Sequence, residues 1–343
     1  MMEPRLTIKD IARISGVGIS TVSRVVNNRP DVSEDTRRRV LDVVNSQGYA
    51  PNSNAKHLKQ MNSDYIGVVI RGAKNMFLAG IIEQIQRFID RTKYHFLAHY
   101  IDEQDDEIVA ALRLYQERKV LGIIFLGGSM TGREDILQNF PVPCVFATVN
   151  ASEIAFDGIM SVAVDDRKSA KTAVDYLFDC GHRDIAIVGG QIESRDAIGL
   201  RYQGVVDSFE AHGMTFDRAK RYMTSTFSFP ESYRAVKNAL QRDETFTAIF
   251  AMSDIMAIGA AKAVTDAGKR VPEDISIIGY DGIELASYYQ PTLATIRQPQ
   301  ERIAKECVRL ISKAIEGETS HVHITLETEL MPGASVRRLH SID

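Results

Sequence analysis

The sequence predicts an α/β protein: a small three-helix head, a short linker, and a larger body of two doubly wound parallel sheets. Three observations predict it. Between Thr7 and Gly48, apolar residues recur at helical spacing in three short runs punctuated by turn residues. From Tyr65 onward, short apolar runs alternate with helical patterns, as in strand–helix units of parallel sheet. The length, 343 residues, is enough for two or three compact units.

Composition narrows the class. The chain is 44% hydrophobic and 25% charged, the balance of an ordinary globular protein. Formal net charge is −4, yet residues 1–60 carry ten Lys/Arg against six Asp/Glu, a balance of +4 that leaves −8 for the rest. A basic head on an acidic body is expected where only the head meets phosphate. Cys144, Cys180 and Cys307 match neither a metal-ligand spacing nor a disulfide framework and are read as reduced thiols. The first residues lack an apolar signal region and no stretch approaches the length of a membrane span, so a cytoplasmic location without membrane contact is expected.

In the head, Thr7 with Asp10 three residues later marks a helix start, and Ile8, Ile11 and Ala12 then share one face. Ala12 is small where two helices cross, and Gly16 tolerates positive φ at the turn. Val17, Val22, Val25 and Val26 give the second helix its inward side, leaving Ile19, Ser20, Ser23 and Arg24 outward. A third helix begins after Ser33, with Val40, Leu41 and Val44 inward and Arg37, Arg38 and Arg39 near solvent or phosphate, and stops at Gly48. Two short helices joined by a glycine turn, the second exposing small polar groups and an arginine, form the helix-turn-helix geometry that enters a DNA major groove. After Pro51, two or three turns capped by Asn52 or Ser53 are too short to persist alone and fit a linker that folds on a partner.

This head and linker resemble the lactose-repressor/galactose-repressor (LacI/GalR) family of bacterial transcription regulators. The resemblance is carried by Thr7-Ile8-Lys9-Asp10-Ile11-Ala12, Gly16-Val17, Thr21-Val22-Ser23-Arg24-Val25, Asn27-Asn28, Val32-Ser33, Gly48-Tyr49, Pro51-Asn52, and Ala55 with Leu58. It implies that Ile19, Ser20 and Arg24 read base edges, the arginine by forking onto guanine. It also implies that Thr21, Ser23, Asn27, Ser33, Thr36, Tyr49 and Asn52 hold phosphates. By the same resemblance the linker, with Ala55, lies in the minor groove, where Leu58 wedges into a base step. Two departures stand out: Gly18 replaces a usual serine, and Lys56-His57 replaces Arg-Ser before the leucine.

In the body, strands are expected at Tyr65–Ile70, His95–Tyr100, Gly122–Leu126, Cys144–Phe146, Ser161–Val164, Ile185–Val188, Ala248–Phe250, Ser276–Gly279, Ala294–Ile296 and Val322–Leu326. Helices are expected at 77–92, 104–117, 168–180, 200–212, 231–242, 255–267 and 300–316. Parallel sheets of this kind bind ligands at the carboxyl ends of their strands, and two lobes leave a cleft between them.

The resemblance extends here through Gly181-His182-Arg183-Asp184, Arg201 three before Gly204, Ser253-Asp254, Val271-Pro272-Glu273-Asp274, Gly279-Tyr280-Asp281 and Pro291-Thr292-Leu293. It implies a periplasmic-binding-protein-like (type I) body whose lobes are joined by three crossovers, near 162, 292 and 324. The expected organisation is a DNA-binding head at 1–50, a hinge at 51–63, a first lobe at 64–163 and 294–323, and a second at 164–291 and 324–338. Arg201 and Asp281 are implied to hold effector hydroxyls, a guanidinium donating in a fork and a carboxylate accepting. Phe77 and Phe227 match aromatic positions, and Ser253 a polar contact. Arg71, following the first strand at the cleft edge, is either a solvated arginine or a sign of an anionic ligand.

Other signals are weaker. Gly127-Gly128-Ser129-Met130-Thr131 lacks the last glycine of a nucleophile elbow, and Gly16-x-Gly18 lacks the strand and third glycine of a dinucleotide loop. His95 with His99, and His321 with His323, have no carboxylate at useful spacing. The expectation is a homodimeric regulator, not an enzyme, without cofactor or metal. It would bind a pseudo-palindromic double-stranded operator and a sugar-like effector, and repress a carbohydrate-utilisation operon. Rival readings are a nucleobase- or anionic-sugar-responsive regulator, and a sugar-binding protein or α/β enzyme with no DNA role.

Overall fold

The structure, a computed structural model, describes residues 7–26, 32–46, 64–72, 75–102, 105–128, 133–154, 156–192, 196–242 and 245–339. By contact the chain divides into two compact units, Met1–Asn62 and Ser63–Asp343.

In the first unit, α1 (Ile8–Ser15), α2 (Ile19–Val26) and α3 (Glu34–Ser46) pack about the buried Ile11, Val22, Val25 and Val40. The Thr7 amide and hydroxyl both donate to Asp10 Oδ2, at 2.9 and 2.6 Å, so the expected start signal is made. Gly16 closes α1 at φ 65°, and its amide donates to the Ala12 carbonyl. The Gly18 carbonyl accepts from Thr21 and Val22, opening α2 after a two-residue turn. Leu41 corrects the expectation: it is 38% exposed, while Val43 and Val44 pack inward. Residues three and four beyond Val40 share its face, whereas Leu41 is turned about 100° from it.

The second unit alternates strand and helix. It runs through β1 (Tyr65–Arg71), α4 (Met76–Ile89), β2 (His95–Ile101), α5 (Glu107–Arg118), β3 (Gly122–Leu126), α6 (Glu134–Leu137), β4 (Cys144–Ala147) and β5 (Ile159–Val164). Next come α7 (Asp166–Asp179), β6 (Ile185–Gly189), α8 (Ala197–Ala211), α9 (Arg218–Arg221), β7 (Tyr222–Thr224), α10 (Phe229–Gln241), β8 (Ala248–Ala251), α11 (Asp254–Asp266) and β9 (Ser276–Asp281). The chain finishes with α12 (Glu284–Tyr288), β10 (Ala294–Arg297), α13 (Gln300–Ile315), β11 (His323–Leu326) and β12 (Glu329–Met331).

Among the described residues the strands form two six-stranded sheets, ordered β11-β5-β4-β3-β1-β2 and β12-β10-β9-β8-β6-β7. Pairing is parallel, with Ile66 opposite Gly122 and Ile185 opposite Ala248, except that β12 runs antiparallel to β10. In each sheet the winding reverses beside its first strand, between β1 and β3 and between β6 and β8. Ligand crevices open outside the carboxyl ends of strands at such reversals. The central strands are buried on both faces, which explains their unbroken apolar runs.

The crossovers differ from expectation. β5 lies wholly in the first sheet, so the chain leaves it after Val164, two residues beyond the expected point near 162. β10 continues the second sheet beside β9, so 294–297 belong there, and the return follows Arg297 and not 292. β11 pairs with β5 through Leu326, so 324–326 stay in the first sheet and the last crossing comes after them. The physical reason is ladder continuity: each strand is completed with its neighbour before the chain departs. The three-residue edge strands β7 and β12 were too short to show a period. Cys144, Cys180 and Cys307 are each buried and unbridged. No helix among the described residues is long and apolar enough to cross a membrane.

Candidate functional site

On the first unit, α2 turns Val22 and Val25 into the bundle and leaves its other side outward. Ile19 is 46% exposed, Ser20 and Arg24 are exposed, and Thr21 and Ser23 are half-buried. An exposed isoleucine at the first position of a short helix, beside serine and an arginine one turn on, suits a groove lined with base edges and thymine methyls. The Ser33 hydroxyl donates to Thr36 Oγ1 at 2.9 Å, placing both hydroxyls at the start of α3. Asn27, Tyr49, Asn52, Ala55 and Leu58 lie outside the described residues.

On the second unit, a cleft of about 970 Å³ opens at the two strand reversals. Five of the six body residues expected there line it: Arg71, Phe77, Arg201, Phe227 and Asp281. Ser253 does not. It is fully buried as the N-cap of α11, its Oγ accepting from the Met256 amide at 3.2 Å, so the expected ligand contact becomes a helix cap.

Arg201, 5% exposed on α8, is the best-held group of the cleft floor. Its Nε donates to Asp166 Oδ1 at 2.8 Å and its Nη1 to the Met252 carbonyl at 2.6 Å. Its guanidinium carbon lies 3.7 Å from the centroid of the Tyr280 ring. The Tyr280 hydroxyl donates to the same Asp166 oxygen at 3.0 Å. Burial works against the arginine's charge, but Asp166, Tyr280 and Asp281 outweigh it and hold its pKa above the usual value. Burial pushes the Asp166 and Asp281 carboxyls up, against the pull of Arg201. Asp281 is 2% exposed at φ 117°, a backbone region unusual for a non-glycine residue, and its Oδ1 accepts from Gln298 Nε2 at 2.9 Å. Strain of this kind is found where a side chain must be aimed.

The opposite wall is ionic. Arg71 Nη1 lies 3.3 Å from Glu107 Oε2, and Arg133 Nη2 lies 2.5 Å from Asp106 Oδ2. Glu107 is itself only 4% exposed and packs against Gly128, where an added Cβ would run into its carboxylate. Gly128, two residues after β3, thus makes room for an acid, while Gly127 before it makes room for Leu78 and the Arg71 carbonyl. Phe77 is buried in the core beneath the cleft, and Phe227 is half-buried against the same core.

Sequence reasoning passed over Glu107, Asp166 and Gln298. Each sits at an element boundary, the first turns of α5 and α7 and the residue after β10, and its partner is distant in sequence. The three crossings also share a pattern. Asp166 binds Arg201, Gln298 binds Asp281, and the Thr328 and Ser169 hydroxyls pair at 2.8 Å.

Comparison with known proteins joins these features. The model of the bacterial regulatory proteins of the lacI family matches residues 7–52, and that of the periplasmic binding protein-like domain matches 174–336. The transcriptional regulator MalR of Clostridium butyricum is 35% identical over 329 residues, covering 95% of this chain and 98% of that protein. The chain belongs to the LacI family. It is therefore a DNA-binding transcriptional regulator and not an enzyme. Catabolite control protein A of Priestia megaterium is 33% identical over 92% of this chain and 94% of that protein. Among solved LacI-type structures, the regulator CelR in complex with cellobiose matches with a TM-score of 0.72 at 28% identity, covering 96% of this chain and all of that one. The lac repressor dimer bound to operator and the anti-inducer ONPF matches at 0.69 and 23% identity, a likeness of fold.

Proposed function

We propose that this LacI-family chain is a cytoplasmic homodimer that represses carbohydrate-utilisation genes and is controlled by a saccharide held in the body cleft. The observation that carries the reading is the pairing of Arg201 and Asp281 in one cleft, a buried donor fork beside a buried acceptor, which suits the hydroxyls of a sugar. A structural relative supports it, since the regulator CelR is solved in complex with cellobiose. On the head, Ile19, Ser20 and Arg24 read bases, while Thr21, Ser23, Asn27, Ser33, Thr36, Tyr49 and Asn52 fix register on phosphates. Ala55 and Leu58 act in the minor groove. Two heads are needed because one recognition helix spans only a few base pairs, and weak non-specific binding must be exceeded by about 10³-fold or more.

The test selects operator sequences with the purified full chain from random duplex DNA, then repeats the mobility-shift assay with a saccharide panel. A pseudo-palindromic consensus and a change of affinity with at least one saccharide are expected. Selection without sequence preference would overturn the operator reading, and indifference to every saccharide would overturn the effector reading.

A further inference from the structure

The cleft is rich in charge, yet its guanidiniums are already paired with the chain's own carboxylates. Its described lining carries the carboxylates Asp105, Asp106, Glu107, Asp196, Glu231 and Asp281 against the guanidiniums Arg71, Arg133 and Arg201. Each guanidinium has a carboxylate within 3.3 Å: Glu107 for Arg71, Asp106 for Arg133, Asp166 for Arg201. The helix starts at the cleft are occupied too. Asp106 Oδ1 accepts from the Ile108 and Val109 amides at the head of α5, and Asp196 Oδ1 accepts from Ile198 and Gly199 at the head of α8. The Asn75 side chain accepts from Phe77 at the head of α4. Backbone amides that elsewhere cradle phosphate or carboxylate groups are here turned toward the chain's own side chains.

Resting on the proposed saccharide control, we infer that the effector is an uncharged, hydroxyl-rich molecule, and that Glu107 sets this specificity by neutralising Arg71 at the cleft wall. An arginine at the end of β1 would by itself invite a sugar acid or a phosphorylated sugar. Glu107, seated in the space that Gly128 leaves open, occupies the place such an anion would take. An incoming anion must displace a buried carboxylate and then sit among the remaining acids. A neutral sugar exchanges hydrogen bonds with the same groups and leaves the ion pairs in place. Discrimination of this kind works through repulsion of the wrong ligand as much as attraction of the right one.

The test titrates the full chain by calorimetry with maltose, cellobiose and glucose, and with glucuronate and glucose 6-phosphate as charged counterparts. A neutral saccharide should bind at least tenfold tighter than either anion, and added salt should narrow that ratio by screening. Glu107→Gln should narrow it at least tenfold by removing the carboxylate from beside Arg71, and the double variant Arg71→Gln/Glu107→Gln should restore it. If Glu107→Gln does not fold, the wild-type ratio and its salt dependence decide the matter. An anion that binds as tightly as its neutral counterpart, or a Glu107→Gln ratio equal to wild type, overturns the inference and leaves saccharide control standing. Silence from every carbohydrate overturns both.

Discussion

Arg201 Nη2 stands 4.0 Å from Asp281 Oδ1, close enough for attraction and beyond hydrogen-bond reach. A ligand hydroxyl seated beside both can accept from the guanidinium and donate to the carboxylate, closing the gap that the protein leaves open. Asp281→Asn keeps the shape and halves the acceptor capacity, so effector affinity should fall about 10- to 100-fold, the worth of a hydrogen bond to a charged group. Operator affinity without effector should not move. Calorimetry and a mobility-shift assay check the two halves, and unchanged effector affinity would remove Asp281 from the site.

Arg201→Met should do more than abolish the response. It strands Asp166 in the core, and a buried pair broken on one side costs about 3–5 kcal/mol. Urea unfolding should show that loss. A variant as stable as wild type would mean that Asp166 finds another partner.

Gly204 explains why glycine stands three residues after that arginine. An added Cβ there would land on the Arg167 carbonyl and the Lys171 amide, where α7 and α8 lie against each other. Gly204→Ala should therefore cost about 1–3 kcal/mol through overpacking, despite alanine's better helix propensity. A stabilised variant in thermal melts would refute the close approach.

Asp254 supplies a pH dependence. Burial pushes its carboxyl up to about 7, against hydrogen bonds from the Thr295 hydroxyl and the Ile283 amide. The folded state then keeps a proton that the unfolded chain, near 3.8, has released. Its contribution to stability is fully present below that value and is lost as pH rises to about 7, with a limiting slope of about 1.4 kcal/mol per pH unit. The stability difference between wild type and Asp254→Asn, followed by urea unfolding across that window, should fall with pH and level off above it. A difference that stays flat would show that Asp254 titrates normally.

Leu58→Ala tests the linker separately from the cleft. Operator affinity should drop at least tenfold while effector binding is retained, because the substitution removes only the proposed wedge. Equal operator affinity would take the hinge out of the mechanism.

What was legible in the sequence follows the range of the interaction that fixes each residue. The Thr7–Asp10 cap, the Gly16 turn and the α2 face depend on neighbours within a few residues, and all three are found in the structure. Arg201 and Asp281 were visible through motifs that resemble the family's. Glu107 was not, because its meaning depends on β1 and α5 being brought together, with Arg71 thirty-six residues away. Ser253 shows the opposite error: a polar residue at a motif position was read as a contact when the start of α11 needed a cap. Leu41 failed for a simpler reason, since hydrophobic residues at 40, 41, 43 and 44 leave the helix phase open by one step. The crossover points were misplaced because the sheet a strand joins is set by partners distant in sequence, β10 pairing with β9 and β11 with β5.

The tethers on the crossings give the body an off-centre pivot. Asp166, Gln298 and Thr328 are each fastened to groups that travel with the second sheet, namely Arg201, Asp281 and Ser169. A rotation of the lobes that kept these bonds would bend the chain on their other side, at Val164–Asp165, Pro299 and Leu326–Glu327. A sugar seated between Arg201 and Asp281 would rest on the anchored side of that joint.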